Sequence, residues 1–176
     1  MKPRVEIQYA LDDDRTRLPH AAHLARWAQA ACDAAGRRFE REPQMTLRLV
    51  EEAEIVRLNS VYRHKTAPTN VLSFPFEPPA GLPREACPAE LGDVVICAAV
   101  VRREAAEQGK SEESHWAHMV VHGTLHLLGY DHVTAAEAAR MEPLEVRVLA
   151  ALGHADPYAV AERADAGQAT NRGQTG

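Results

Sequence analysis

Ser111-Glu112-Glu113-Ser114-His115-Trp116-Ala117-His118-Met119-Val120-Val121-His122-Gly123-Thr124-Leu125-His126-Leu127-Leu128-Gly129-Tyr130-Asp131-His132 organises the chain around it. Ser111 is a suitable N-cap, and Glu112 and Glu113 favour the positive end of a helix dipole. Gly129 is a natural stop. Between these signals the segment is flanked by apolar residues at Met119, Val120, Val121, Leu125, Leu127 and Leu128, so the spacing predicts a largely buried helix from Glu112 to Leu128.

His122 and His126 lie four residues apart, so both rings project from one side of this helix and can share one metal ion. Gly129 lets the backbone turn sharply, and His132 returns toward the same ion. The pattern H-x3-H-x2-G-x2-H is the ligand spacing of a three-histidine catalytic zinc site with a fourth position open for water. Any one of these histidines taken alone reads as a core or capping residue. Three converging on dry apolar surface without a ligand would be costly to desolvate, so together they read as metal ligands. His118 lies on the same stripe but about 12 Å along the axis from His126, and reads as a residue that supports a ligand or faces substrate. His115 reads as solvated. The spacing also matches the long zinc-protease motif H-E-x-x-H-x-x-G-x-x-H, whose Glu is the general base. Here that position is Gly123, so the motif that suggests a peptidase also argues against one.

Outward from this helix, alternation at Val5, Ile7 and Tyr9 and at Met45, Leu47 and Leu49 predicts two strands with one buried face each. Helices are expected from about Pro19 to Ala35 and from about Glu51 to Tyr62. Val71–Phe74 and Leu91–Cys97 read as two further strands, separated by a Pro-rich irregular loop over 78–88. A helix over Ala98–Gln108 closes at Gly109. Thr134-Ala135-Ala136-Glu137 has the form of a capping box and opens a last helix ending near Gly153, in which Pro143 predicts a kink or break. The reading is one domain over 1–155 and a disordered tail over 156–176, where apolar residues become few.

The chain has 176 residues, 45% apolar and 26% charged, an ordinary globular composition. Its net charge of −5 disfavours coating nucleic acid through a broad basic surface, although a small basic site is allowed. Arginine outnumbers lysine 17 to 3, and five of nine histidines fall within eighteen residues. Cys32, Cys87 and Cys97 form no C-x-x-C pair and read as reduced thiols. The N-terminus lacks an apolar signal region and no stretch reaches the length of a membrane span, which places the protein in the cytoplasm with no membrane partner.

Leu58-Asn59-Ser60-Val61-Tyr62-Arg63-His64-Lys65-Thr66-Ala67-Pro68-Thr69-Asn70-Val71-Leu72-Ser73-Phe74-Pro75 runs from a helix end through a polar loop into a strand. Arg63, His64 and Lys65 form the densest local group of donors suited to phosphate. By composition alone the segment is equally an ordinary solvated loop. Its pattern Asn59-x-x-Tyr-Arg63-x-Lys65-x-x-Pro-Thr-Asn-Val-Leu-Ser-Phe-Pro, with Leu91-Gly-Asp93-Val-Val-Ile96 and the histidine motif, resembles the bacterial YbeY family of metal-dependent endoribonucleases and rRNA maturation factors. The likeness spans about 40–152; Thr66 departs from it, standing where the family often has an acidic residue.

The resemblance implies an α+β fold, with about five helices packed on a mixed four-stranded sheet and the metal site on a central helix and the following turn. It implies a single-strand-specific endoribonuclease acting in 16S rRNA 3′-end maturation, rRNA processing and ribosome quality control. The implied partners are single-stranded RNA, the small ribosomal subunit with its proteins, and the GTPase Era. Carried onto matching positions, His122, His126 and His132 hold one Zn2+ and Arg63 is the functionally important arginine. Lys65 and His118 are expected to bind substrate, and Asp93 and Asp131 to orient a ligand ring. Two other readings stay open: a zinc-dependent hydrolase of peptides or small molecules, and a non-catalytic ribosome-assembly factor with structural zinc.

Overall fold

Strands form where apolar side chains alternate. In the computed structural model, which describes residues 1–159, β1 (Arg4–Ala10) and β2 (Gln44–Val50) direct Val5, Ile7, Tyr9, Met45, Leu47 and Leu49 into one core. With β3 (Val71–Pro75) and β4 (Glu90–Cys97) they make a sheet of order β1-β2-β4-β3. β2 runs parallel to both β1 and β4, whereas β3 is antiparallel to β4 and lies at the edge. The continuous run Val94-Val95-Ile96-Cys97 reflects a strand buried on both faces. Gly92, at φ 128°, sits where β4 bulges against the Gln44–Met45 step, and a side chain there would collide with the Phe74 carbonyl.

The helices are α1 (Ala21–Ala34), α2 (Glu52–Arg63), α3 (Ala98–Glu107), α4 (Glu112–Leu127) and α5 (Ala135–Ala151), all five close to their expected bounds. Ser111 caps α4 through a bond from the Ser114 amide, and Thr134 and Glu137 complete the capping box of α5. α1 and α4 pack on the sheet face carrying Leu47, Leu49, Val94 and Ile96; α2 covers the other at Val50, Leu72, Val95 and Cys97. α5 lies against α1 and α4. The fold is therefore a single α+β domain with α4 central.

Three local expectations are corrected. α5 runs unbroken through Pro143. Proline removes one backbone donor, but Met141, Leu144 and Glu145 beside it are buried and their packing carries the helix across the missing bond. His115 is not solvated: α4 is enclosed on nearly all sides, leaving that residue 2% exposed against Glu104. The folded chain also reaches beyond residue 155, since Lys110 donates to the Pro157 carbonyl at 3.0 Å and the Tyr158 hydroxyl to Glu145 at 3.1 Å. The rest of the expected tail lies outside the described residues.

All three cysteines are buried free thiols. Burial pushes the Cys32 thiol up to about 12, which keeps it unreactive. Among the described residues no helix is long and apolar enough to cross a membrane.

α4 approaches the sheet closely at Gly123. A Cβ there would lie 2.5 Å from Val94 Cγ1, 3.2 Å from Val71 Cγ2 and 3.3 Å from Ser73 Oγ. Val94 is fully buried and stiff, so it cannot yield cheaply. Gly123→Ala gains up to about 1 kcal/mol of helix propensity but overpacks the interface, at a cost of typically about 1–3 kcal/mol. The variant should lower the urea midpoint with an unchanged slope; an unchanged or raised midpoint would show that the approach is not tight.

Candidate metal centre and its cleft

The turn after α4 brings the third histidine back. The Gly129 amide bonds the His126 carbonyl at 3.0 Å and the Tyr130 amide bonds the Leu125 carbonyl at 3.1 Å, closing a Schellman motif around Gly129 at φ 94°. Asp131 Oδ1 then accepts the His132 amide at 2.7 Å. The ring centroids of His122, His126 and His132 lie 4.6, 4.9 and 5.0 Å apart. One ring nitrogen from each falls within 4.8 Å of the others.

The ring protons decide whether this group suits a cation. His122 Nδ1 donates to Glu145 Oε2 at 3.2 Å, which leaves Nε2 with its lone pair. His126 Nε2 lies 3.0 Å from His122 Nε2. Burial first, then the neighbouring His122 and His132, lowers the His126 pKa to about 4, so the ring is neutral near pH 7. A divalent ion bound tetrahedrally at 2.0–2.1 Å would hold such nitrogens about 3.3 Å apart. The residues present therefore fit a metal ion. His118, His122 and Glu145 also cluster, but there the carboxylate already accepts a hydrogen bond from each ring.

The three histidines line a cleft of about 590 Å³, and His132, half exposed, opens the group to it. Arg63 reaches the same cleft from the end of α2. His64, in the left-handed region at φ 56°, ends that helix, and buried Asn59 ties the loop back by donating to the Ala67 carbonyl at 2.8 Å. Arg63 then donates to the Ser73 carbonyl at 3.0 Å, on the edge strand. Ser73 Oγ in turn donates to the Gly123 carbonyl at 3.0 Å.

The other candidates are placed differently. Lys65 is exposed in the loop after α2 and does not line the cleft. His118 does not line the cleft either; it is 8% exposed, with Nε2 donating to Glu145 Oε2 at 2.6 Å. Asp131 lies 3.9 Å from the His132 ring nitrogen, beyond hydrogen-bond reach, and shapes the turn through the backbone instead. Asp93 cannot orient a ligand ring, because its neighbour Val94 meets α4 and strand alternation sends Asp93 to the opposite face.

The family profile described as Endoribonuclease YbeY matches residues 9–153. Proteins named Endoribonuclease YbeY from Alcanivorax borkumensis and Alkalilimnicola ehrlichii are 52% and 55% identical to this chain. The alignments cover 96% and 90% of it, and 94% and 93% of those relatives. The chain belongs to the YbeY family. A relative of the same name from Pseudomonas putida is 54% identical over 156 residues. The solution structure of a Thermotoga maritima protein, 21% identical, shares the fold with a TM-score of 0.55 over 98% of this chain and 100% of that one.

In this YbeY-family chain the residue that sequence reasoning missed is Glu145. Its side chain is fully buried on α5 and receives three donors: His118 and His122 on Oε2, Tyr158 on Oε1. Burial alone would raise its pKa, but the bonds from His118 and His122 outweigh it and hold the carboxyl at about 2. A charged carboxylate behind His122 fixes the tautomer that frees Nε2. The signal lay in the sequence as one acid on the apolar stripe Met141, Leu144, Val148, Leu149. Glu145→Gln should weaken metal binding about 10- to 100-fold in competition with a chelator while the helical circular dichroism is retained. Unchanged affinity would assign Glu145 a packing role alone.

Proposed function

We propose that this chain is a metal-dependent endoribonuclease that cleaves single-stranded RNA, acting in 16S rRNA 3′-end maturation, rRNA processing and ribosome quality control in the cytoplasm. His122, His126 and His132 hold the metal, which we take to be zinc, and Arg63 holds the substrate phosphate. The small ribosomal subunit and the GTPase Era are its expected partners. The observation that carries this reading is the three-histidine group opening into one cleft with an arginine, at a helix position where glycine replaces a carboxylate base.

When bound, such an ion acts as a Lewis acid toward a phosphoryl oxygen and acidifies a coordinated water without a glutamate base. The chain's own residues supply the rest. His122 and His126 present ring nitrogens from a rigid helix, and Glu145 holds a proton of His122 on the far nitrogen. Arg63 spends one N–H on Ser73 and stacks its guanidinium 5.3 Å from the Phe74 ring centroid, so its orientation is set before substrate arrives. Its remaining donors suit charge developing on phosphate oxygens.

Two features favour this over the other readings. A peptidase with a metal helix beside an edge strand would pair its substrate with that strand, but β3 is blunted: Asn70 Oδ1 caps the Val71 amide, Arg63 caps the Ser73 carbonyl, and Pro75 has no amide proton. A structural zinc is enclosed by four protein ligands, whereas this three-histidine group has a half-exposed member facing a cleft.

His126→Ala is expected to lose bound zinc and cleavage of single-stranded RNA together. Arg63→Glu should keep stoichiometric zinc and lose about 10²–10³-fold in kcat, the scale of one lost charge-stabilising donor. Zinc content and cleavage are measured on the same preparations, with an unstructured peptide assayed in parallel. Full activity in Arg63→Glu, or cleavage of the peptide instead of RNA, overturns the assignment.

A further inference from the structure

A second cleft, of about 410 Å³, opens on the sheet face away from the histidines, where α2 leaves the strands uncovered. Its apolar walls are Leu58, Tyr62, Phe74 and Val95, and its polar lining includes Thr46 and Asp93. Tyr62 is 57% exposed and meets Phe74 edge-on with centroids 5.2 Å apart, so one face of the phenol ring is left for a ligand. The arginine in this cleft, Arg48, is already committed: Nε and Nη2 bond Glu54 Oε1 at 3.0 and 2.8 Å, and Nη1 bonds Gln8 Oε1 at 3.0 Å. With that cation neutralised and Asp93 exposed, the cleft repels a phosphate. It suits an uncharged planar group carrying a hydrogen-bond donor.

The two clefts meet at one side chain. Arg63 lines the histidine cleft, yet its guanidinium stands over Phe74, a wall of the second cleft. Ser73 and Phe74 are consecutive on the edge strand and face opposite sides of it: Ser73 bonds Gly123 of α4, and Phe74 packs with the α2-side core. A chain crossing β3 with a phosphate on Arg63 therefore reaches the metal cleft on one side and the aromatic cleft on the other.

Resting on the ribonuclease reading, we propose that the second cleft binds the base of a nucleotide neighbouring the phosphate held by Arg63. The base stacks on Tyr62, and Asp93 accepts from an amino group on its edge. Only an unpaired base can enter, which supplies a physical origin for single-strand preference. The cleft thereby adds a base-reading subsite to a centre that otherwise touches only phosphate.

The test uses the zinc-loaded full chain and short single-stranded RNAs in which each base in turn is replaced by an abasic residue. Tyr62→Ala should raise KM roughly 5- to 100-fold, the scale of one lost base stack, with kcat within about twofold and zinc content unchanged. Tyr62→Phe, which keeps the ring, should retain the wild-type KM. One abasic position should cost the wild type as much as Tyr62→Ala costs, and cost that variant nothing more. At the same position, cytosine should bind better than uracil in the wild type and equally in Asp93→Asn. A wild-type enzyme that cleaves RNA while Tyr62→Ala keeps its KM, or while the abasic scan is flat, overturns the base subsite and leaves the ribonuclease reading standing. So does an equal KM rise in Tyr62→Phe. RNA that the zinc-loaded wild type does not cleave overturns the ribonuclease reading itself.

Discussion

The closeness of α4 to the edge of the sheet governs the site. Gly123 has no side chain because Val94, Val71 and Ser73 leave no room for one. At that distance Ser73 does two things at once. Its hydroxyl bonds the Gly123 carbonyl of the metal helix, and its own carbonyl bonds Arg63. The histidines and the arginine, more than fifty residues apart in sequence, are thus positioned through a single residue of β3. The same constraint bears on chemistry. The position that carries the general base in the long zinc-protease motif is pressed against the sheet here, so a glutamate could not be accommodated without moving the helix that holds the ligands.

Behind the histidines the controlling fact is a buried charge. A carboxylate out of water is stable only with its oxygens satisfied, and Glu145 has two donors from α4 and one from the segment after α5. This makes the unbroken path of α5 through Pro143 functionally relevant, because a break there would displace Glu145 two residues later. It also ties Tyr158, beyond the expected end of the domain, to the orientation of His122. The centre is built from α4 outward through α5 to the chain segment that follows it.

Local signals made most of this legible in the sequence. Caps, glycine stops and period-two alternation are short-range, so the five helices and four strands appear near their expected bounds. The three histidines were readable because ligand spacing on a helix is itself short-range. What could not be read was orientation across distance. Val94-Val95-Ile96-Cys97 is apolar on both faces, so the run reveals neither which face meets α4 nor on which face Asp93 lies. His115 was read as solvated because the enclosure of α4 by α1, α3 and α5 is a tertiary fact. The proline rule was sound locally and was overridden by packing on either side of Pro143. Glu145 carried a signal, an acid on an apolar stripe, but its partners come from elements that only the fold brings together.

The charge of the chain follows the same logic. Many of its arginines are structural: Arg37, Arg41 and Arg147 donate to the carbonyls of Leu128, Cys87 and Ala34, Arg48 is held by Glu54 and Gln8, and Arg102 by Asp13. A guanidinium can satisfy several acceptors from one rigid fork, which a lysine cannot, and the excess of arginine over lysine is consistent with that use. Arg48 and Arg102, each paired with a carboxylate, add little attraction for RNA. With a net charge of −5, the chain offers no broad basic surface for counterion release from phosphate contacts. Binding at such a surface has to draw on interactions that do not depend on net charge: metal coordination, a fixed arginine, and stacking of an unpaired base.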